Sequence, residues 1–156
     1  MKERAEKLGE MLAAQKLTVC TAESCTGGGI ANLFTTIPGS SVWFDRAYVT
    51  YSNQAKISML GVDPDTLKQY GAVSEQVAQE MALGALRHSG TNMAVSVTGV
   101  AGPGGGTAAK PVGMVCFAAS NGDLAKSVTK HFKGDRDAVR AASVSFAIEM
   151  LLALLG

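Results

Sequence analysis

Residues 21–29 read Thr-Ala-Glu-Ser-Cys-Thr-Gly-Gly-Gly and close the apolar run 17–22. A serine at a strand-to-helix turn faces backbone N–H groups able to hold an oxyanion, which is what acyl transfer requires. The plainer reading is that Ser24 or Thr26 caps the following helix, where hydroxyl side chains are favoured. Cys25 is the rival nucleophile, but a thiol needs a base or cation beside it to become thiolate. The spacing is not the Gly-x-Ser-x-Gly elbow of α/β-hydrolases. The three glycines mark a tight turn, or a ligand lying against the backbone.

A second cluster is Tyr51-Ser52-Asn53-Gln54-Ala55-Lys56. Asn53 suits a helix N-cap, which puts Lys56 in the first turn, the end where the macrodipole disfavours a cation. A lysine in such a place can be a base with a lowered pKa. Read alone, the segment favours a solvated surface lysine. The third stretch, residues 98–113, is rich in glycine but lacks the Gly-Lys-Ser/Thr ending of a phosphate loop and the dinucleotide spacing. It still offers unhindered N–H groups to an anion, and long loops inside compact domains tend to be functional.

The histidines narrow the chemistry. His88 falls late in a helical stretch and His131 in a strand, near none of these clusters, which weakens a Ser-His-Asp triad. No metal site and no cofactor are expected. If Ser24 is the nucleophile, lysine is the natural base, with tyrosine as relay.

The elements that must position these residues follow from periodicity. Ala5, Leu8, Met11 and Leu12 recur at helical spacing over 2–16, and 17–22 is a buried strand. The glycines open a helix to about 36, stopped by Pro38-Gly39. Strand character spans 43–51, and a short helix spans 53–60, closed by Gly61. Ser74 caps a helix reaching His88, and 92–98 is another buried strand. Residues 112–120 and 124–132, joined by Asn121-Gly122-Asp123, form a hairpin. Asp135 caps a last helix with Val139, Ala142, Phe146 and Met150 on one face. This alternation predicts one three-layer α/β/α domain over 1–156, with a mostly parallel mixed sheet of about five strands, one antiparallel. Ligands gather beyond the carboxyl ends of strands in such sheets, where Ser24 and Thr98 both fall.

Composition sets the wider bounds. Of 156 residues, 47% are hydrophobic and 17% charged, an ordinary balance for a folded domain. The net charge of +1, without a basic block, argues against nucleic acid as partner. The most apolar stretch, 150–154, is far shorter than the roughly 20 residues a membrane span needs. Three cysteines without zinc spacing and a charged N-terminus fit a reduced, cytoplasmic setting. Ser41-Val42-Trp43-Phe44 reads as an exposed apolar patch, so a homodimer or higher homo-oligomer is expected.

Taken together, "TAESCTGG", "VTYSNQAK", "GAVSEQVAQEMALGAL", "VTGVAGPGGGTAAKPVG" and "GDRDAVR" resemble the CinA C-terminal domain family. The resemblance runs from about residue 2 to the end, so the chain looks like a stand-alone copy of that domain. It implies hydrolysis of nicotinamide mononucleotide to the nicotinic acid nucleotide and ammonia by a Ser-Lys pair. Ser24 and Lys56 match that pair, and Tyr51 and Thr98 match further active-site positions. Arg136 and Arg140 match family arginines, with Arg140 the better candidate for the substrate phosphate. Substrate contacts are also expected from Cys25, Thr26, Gly27, Gly28, Asn53, Gly99 and Gly102. Two other classes stay open: a nucleotide-binding module without catalysis, and a protein-interaction domain.

Overall fold

Strands with alternating or wholly apolar faces need cover on both sides, and the helices supply it. The computed structural model describes residues 1–156. The chain runs α1 (Lys2–Ala14), β1 (Val19–Glu23), α2 (Gly29–Thr35), a 3-10 turn (Ser40–Val42), β2 (Phe44–Val49), α3 (Asn53–Leu60) and α4 (Pro64–Tyr70). It continues with α5 (Glu75–Ser89), β3 (Met93–Gly99), β4 (Met114–Ser120), β5 (Ala125–His131) and α6 (Arg136–Leu155). The strands form one sheet in the order β2-β1-β3-β4-β5. β1 pairs in parallel with β2 and β3, while β4 is antiparallel to both its neighbours. The expected three-layer arrangement with a single antiparallel strand is what the chain adopts.

Side-chain alternation assigns the two faces. Val19, Met93, Val95, Val97, Val115 and Phe117 point to the layer of α1, α2 and α6, where they join Leu8, Phe34, Ile148 and Leu151. Cys20, Ala22 and Ala94 point the other way, against Leu60, Val77 and Met81 of α3 and α5. The antiparallel return through β4 puts residues 100–113 at the same sheet end as the turn after β1.

Four expectations need correcting. Ser52, not Asn53, caps α3: its hydroxyl accepts a hydrogen bond from Ala55 N at 3.0 Å. Helix α4 was not expected, because seven residues are too few to show a period, although Asp63 caps it and Pro64 opens it. Trp43 is not part of an exposed patch: it is 3% exposed and packs edge-on against Phe34 at 5.1 Å. Val42 alone of that stretch is an exposed large apolar residue, at 65%, so the patch that suggested self-association is absent. Helix α6, finally, is long and apolar enough to cross a membrane by length and composition, which 150–154 did not indicate. Here it is a core helix, burying Val139, Ser143, Val144, Ala147, Ile148 and Leu151.

Candidate active site

The turn after β1 is shaped by a carboxylate. Glu23 is the last residue of β1 and fully buried. Its Oε1 accepts hydrogen bonds from Thr26 Oγ1 at 2.7 Å, Ile30 N at 3.0 Å and Gly28 N at 3.2 Å. Its Oε2 accepts from Thr21 Oγ1 and Ala31 N, both at 3.1 Å. Neither Ser24 nor Thr26 therefore caps α2. The carboxylate does so from the preceding strand, with Gly28 at the N-cap in a left-handed conformation, φ 97°. This role was missed by sequence reasoning. The signal available was an acidic residue two positions after a threonine, and five before a glycine that opens a helix.

Ser24 follows at the carboxyl end of β1, with its N–H bonded to Val97 O. Its neighbour is Lys56 of α3, whose Nζ lies 3.0 Å from Ser24 Oγ. The amine also donates to Thr50 O at 3.0 Å and Tyr51 O at 3.4 Å. Lys56 is 1% exposed and forms no ion pair. Burial lowers its pKa from the ordinary 10.5. A neutral amine has two N–H donors and one lone pair, so it can serve both carbonyls and accept the Ser24 proton.

Cys25 points the other way, into the large core on the α6 side. Burial pushes its thiol pKa up to about 11, so it is held protonated and loses the claim to be nucleophile. The backbone around it is accounted for closely. Gly27 N donates to Ser24 O, Gly29 N to Thr26 O, and Gly28 N to Glu23. The Thr26 N–H donates to no acceptor in the protein, and the Cys25 N–H to none beyond its own thiol. Two such donors on the residues directly after Ser24 have the chemistry of an oxyanion hole.

The other expected residues divide. Tyr51 brings its carbonyl to Ser24 and Lys56, while its hydroxyl accepts from Arg136 Nη2 at 3.1 Å. With Ser24 and Lys56 in direct contact, a tyrosine relay has no gap to bridge. Arg136 Nη1 donates to Gly102 O at 2.8 Å, tying the glycine loop to the start of α6. Thr98 is turned away: it is buried and its hydroxyl donates to Ala72 O at 2.9 Å. Gly99 ends β3 opposite Val115, and Asn53 is exposed at the first position of α3. Arg140 reaches the turn after β1 itself, Nε to Cys25 O at 3.1 Å and Nη2 to Thr26 O at 3.2 Å. Gly27 packs against that guanidinium. Neither histidine bonds any of these residues; His88 Nδ1 contacts Gly84 O of its own helix.

The largest cavity, about 460 Å³, lies between Ala101, Pro103 and Val112 of the loop and residues 134–137. Arg136 forms part of its wall, whereas Ser24 does not line it. Arg136 thus stands between this cavity and the Tyr51 hydroxyl.

The profile of the CinA C-terminal domain family matches residues 1–155. The chain is 50% identical over 149 residues to the nicotinamide-nucleotide amidohydrolase PncC of Escherichia coli (strain K12), covering 94% of this chain and 90% of that protein. It is 51% identical over 150 residues to the PncC of Pseudomonas putida, with coverage of 96% and 94%. The crystal structure of the competence/damage inducible protein CihA from Agrobacterium tumefaciens superposes with a TM-score of 0.97 at 47% identity, covering 99% of this chain and 95% of that one.

Proposed function

As this chain belongs to the CinA C-terminal domain family, we propose that it is an amidohydrolase acting on nicotinamide mononucleotide, yielding the nicotinic acid nucleotide and ammonia. The observation that carries the reading is the Lys56–Ser24 contact: a buried amine, without a counter-ion, 3.0 Å from a hydroxyl.

The geometry supports a two-stage acyl transfer. Neutral Lys56 takes the Ser24 proton as Oγ attacks the carboxamide carbon. The carbonyl oxygen becomes an oxyanion held by the N–H groups of Cys25 and Thr26. The lysine ammonium returns the proton to the amide nitrogen, the C–N bond breaks and ammonia leaves. Water then attacks the ester carbon, its proton passing to Lys56. The ammonium returns that proton to Ser24 Oγ as the C–O bond breaks, and the acid product leaves, giving up its own proton to solvent as the carboxylate. The substrate phosphate is assigned to Arg136, whose exposed guanidinium sits at the far end of Tyr51 from the reacting atoms. Arg140, the stronger candidate by resemblance, is half-buried against the carbonyls of Cys25 and Thr26 and does not line the cavity, which Arg136 does.

The test is ammonia release from nicotinamide mononucleotide by the purified chain. Steady release that disappears in Ser24→Ala supports the proposal. A folded chain that binds the nucleotide and releases nothing is a binding module instead.

A further inference from the structure

The two N–H groups that follow Ser24 belong to peptide units whose other ends are tied down. The Ser24–Cys25 unit presents the Cys25 N–H, and its carbonyl, Ser24 O, accepts Gly27 N at 3.0 Å. The Cys25–Thr26 unit presents the Thr26 N–H, and its carbonyl, Cys25 O, accepts Arg140 Nε at 3.1 Å. In a planar trans peptide the carbonyl and the N–H point in opposite directions. Whatever fixes the carbonyl therefore aims the N–H. The next carbonyl along, Thr26 O, accepts Arg140 Nη2 at 3.2 Å and Gly29 N at 2.9 Å. Arg140 thus grips the Cys25–Thr26 unit from the side away from its free donor, and holds the next unit by its carbonyl while Gly27 N is bonded to Ser24 O.

Its own footing is rigid. Arg140 lies on α6 next to Val139 and three residues before Ser143, both fully buried. A guanidinium presents its donors in a fixed planar fork, so two bonds to neighbouring carbonyls define an orientation that a single point charge cannot. A charged donor on a carbonyl also polarises the amide, which makes its N–H a stronger donor in turn.

We infer that Arg140 is a positioning residue that aims the Thr26 N–H, and with it the oxyanion hole, rather than a ligand of the substrate phosphate. The inference rests on the amidohydrolase reading above. It separates two roles with opposite kinetic signatures. A phosphate ligand acts on ground state and transition state alike and shows in KM; an oxyanion-positioning group acts where charge develops and shows in kcat.

The experiment uses Arg140→Gln and Arg140→Lys, each in the wild-type background for turnover and in Ser24→Ala for nucleotide affinity by calorimetry. In Arg140→Gln, kcat should fall by about 10–100-fold, within the loss seen when an oxyanion donor is removed or displaced. KM, and the Kd for nicotinamide mononucleotide on Ser24→Ala, should stay within about twofold, which a phosphate contact would not allow. Lysine, able to reach one carbonyl, should restore part of kcat. The midpoint of the pH–rate profile should not move, because Arg140 does not touch Lys56. Should the glutamine variant fail to fold by circular dichroism, the lysine variant carries the same comparison. A Kd weakened tenfold or more, or an unchanged kcat, overturns the inference while leaving the amidohydrolase intact. Wild-type chain that releases no ammonia defeats the underlying reading itself.

Discussion

Lys56 Nζ lies 3.0 Å from Ser24 Oγ, although the turn after β1 supplies one residue and α3 the other. The amine has two backbone carbonyls and one hydroxyl for company, and no carboxylate. Burying a cation without a partner disfavours the charged form, so the site itself prepares the lysine to accept a proton.

Activity should therefore rise with pH along a limb below the ordinary lysine value of 10.5, as Lys56 loses its proton. Stability should move in the same direction. Between the lowered folded pKa and the ordinary unfolded one, the unfolded chain binds more protons, so folding gains as pH rises across that window. Thermal melts of wild type and Lys56→Met at several pH values check the sign. The wild type should gain on the variant towards alkaline pH, and a difference independent of pH would mean that Lys56 stays charged when folded.

Ser24→Ala and Lys56→Ala should each abolish ammonia release, and the double variant should be scarcely worse, because residues acting as one unit are not additive. Cys25→Ala should keep substantial activity, since its thiol faces the core and is held protonated. It should instead lose some stability, about 1 kcal/mol for a small buried side chain. A dead Cys25→Ala beside an active Ser24→Ala reverses the assignment. Chelation by EDTA should leave the rate unchanged.

The layers and the mostly parallel sheet were legible because each left a pattern in the chain, and Ser24 and Lys56 stood out as candidates whose pairing the family resemblance supplied. Apolar runs alternated with helical periods, and a serine and a lysine stood beside turn-forming residues at strand ends. What stayed hidden depends on direction in space. Nothing local says that Glu23 folds under its own turn, that Thr98 faces Ala72, or that Trp43 points inward. Arg140 shows the limit best: the family resemblance offered it to a phosphate, and only its place on α6 reveals the two carbonyls it faces. The capping error at Asn53 came from two adjacent residues of equal capping strength, a choice that the backbone alone decides.

Arg136→Ala should raise KM for the nucleotide with little change in kcat. Losing a charge-assisted contact to phosphate costs about 1.5–3 kcal/mol, or roughly 10–150-fold in KM. The variant also frees the carbonyl of the buried Gly102 and the hydroxyl of the exposed Tyr51, where water can replace the guanidinium once its side chain is gone. Dephosphorylated substrate, the nicotinamide riboside, should show no such penalty. If both compounds suffer equally, Arg136 holds the loop rather than the phosphate.

Gly84→Ala should damage the site from a distance. A Cβ at Gly84 of α5 would sit 1.9 Å from the Leu60 carbonyl oxygen at the end of α3. Backbone cannot yield as a side-chain tip can, so α3 must shift as a body and carry Lys56 with it. Overpacking of this kind costs about 1–3 kcal/mol. A displacement of about 1 Å at a reacting group can cost 100-fold in rate. Melting temperature and kcat should fall together, and a stability loss with full kcat would show that α3 yields only at its far end.

Glu23→Gln should separate folding from chemistry in the opposite way. The carboxylate accepts five hydrogen bonds, and the isosteric amide turns one of its two oxygens into a donor. If the amide nitrogen takes the Oε2 place, the Thr21 hydroxyl can rotate to accept from it, but Ala31 N meets another donor. The alternative orientation sets the amide against Gly28 N and Ile30 N. The variant should choose the first, leave at least one buried N–H unpaired, and lose about 1–3 kcal/mol in chemical denaturation. Because Ser24 keeps its bond to Val97 O and its contact with Lys56, the folded fraction should retain the pH midpoint of the wild type. Glu23 would instead be a direct participant in proton transfer if the variant melts like the wild type and has lost its activity.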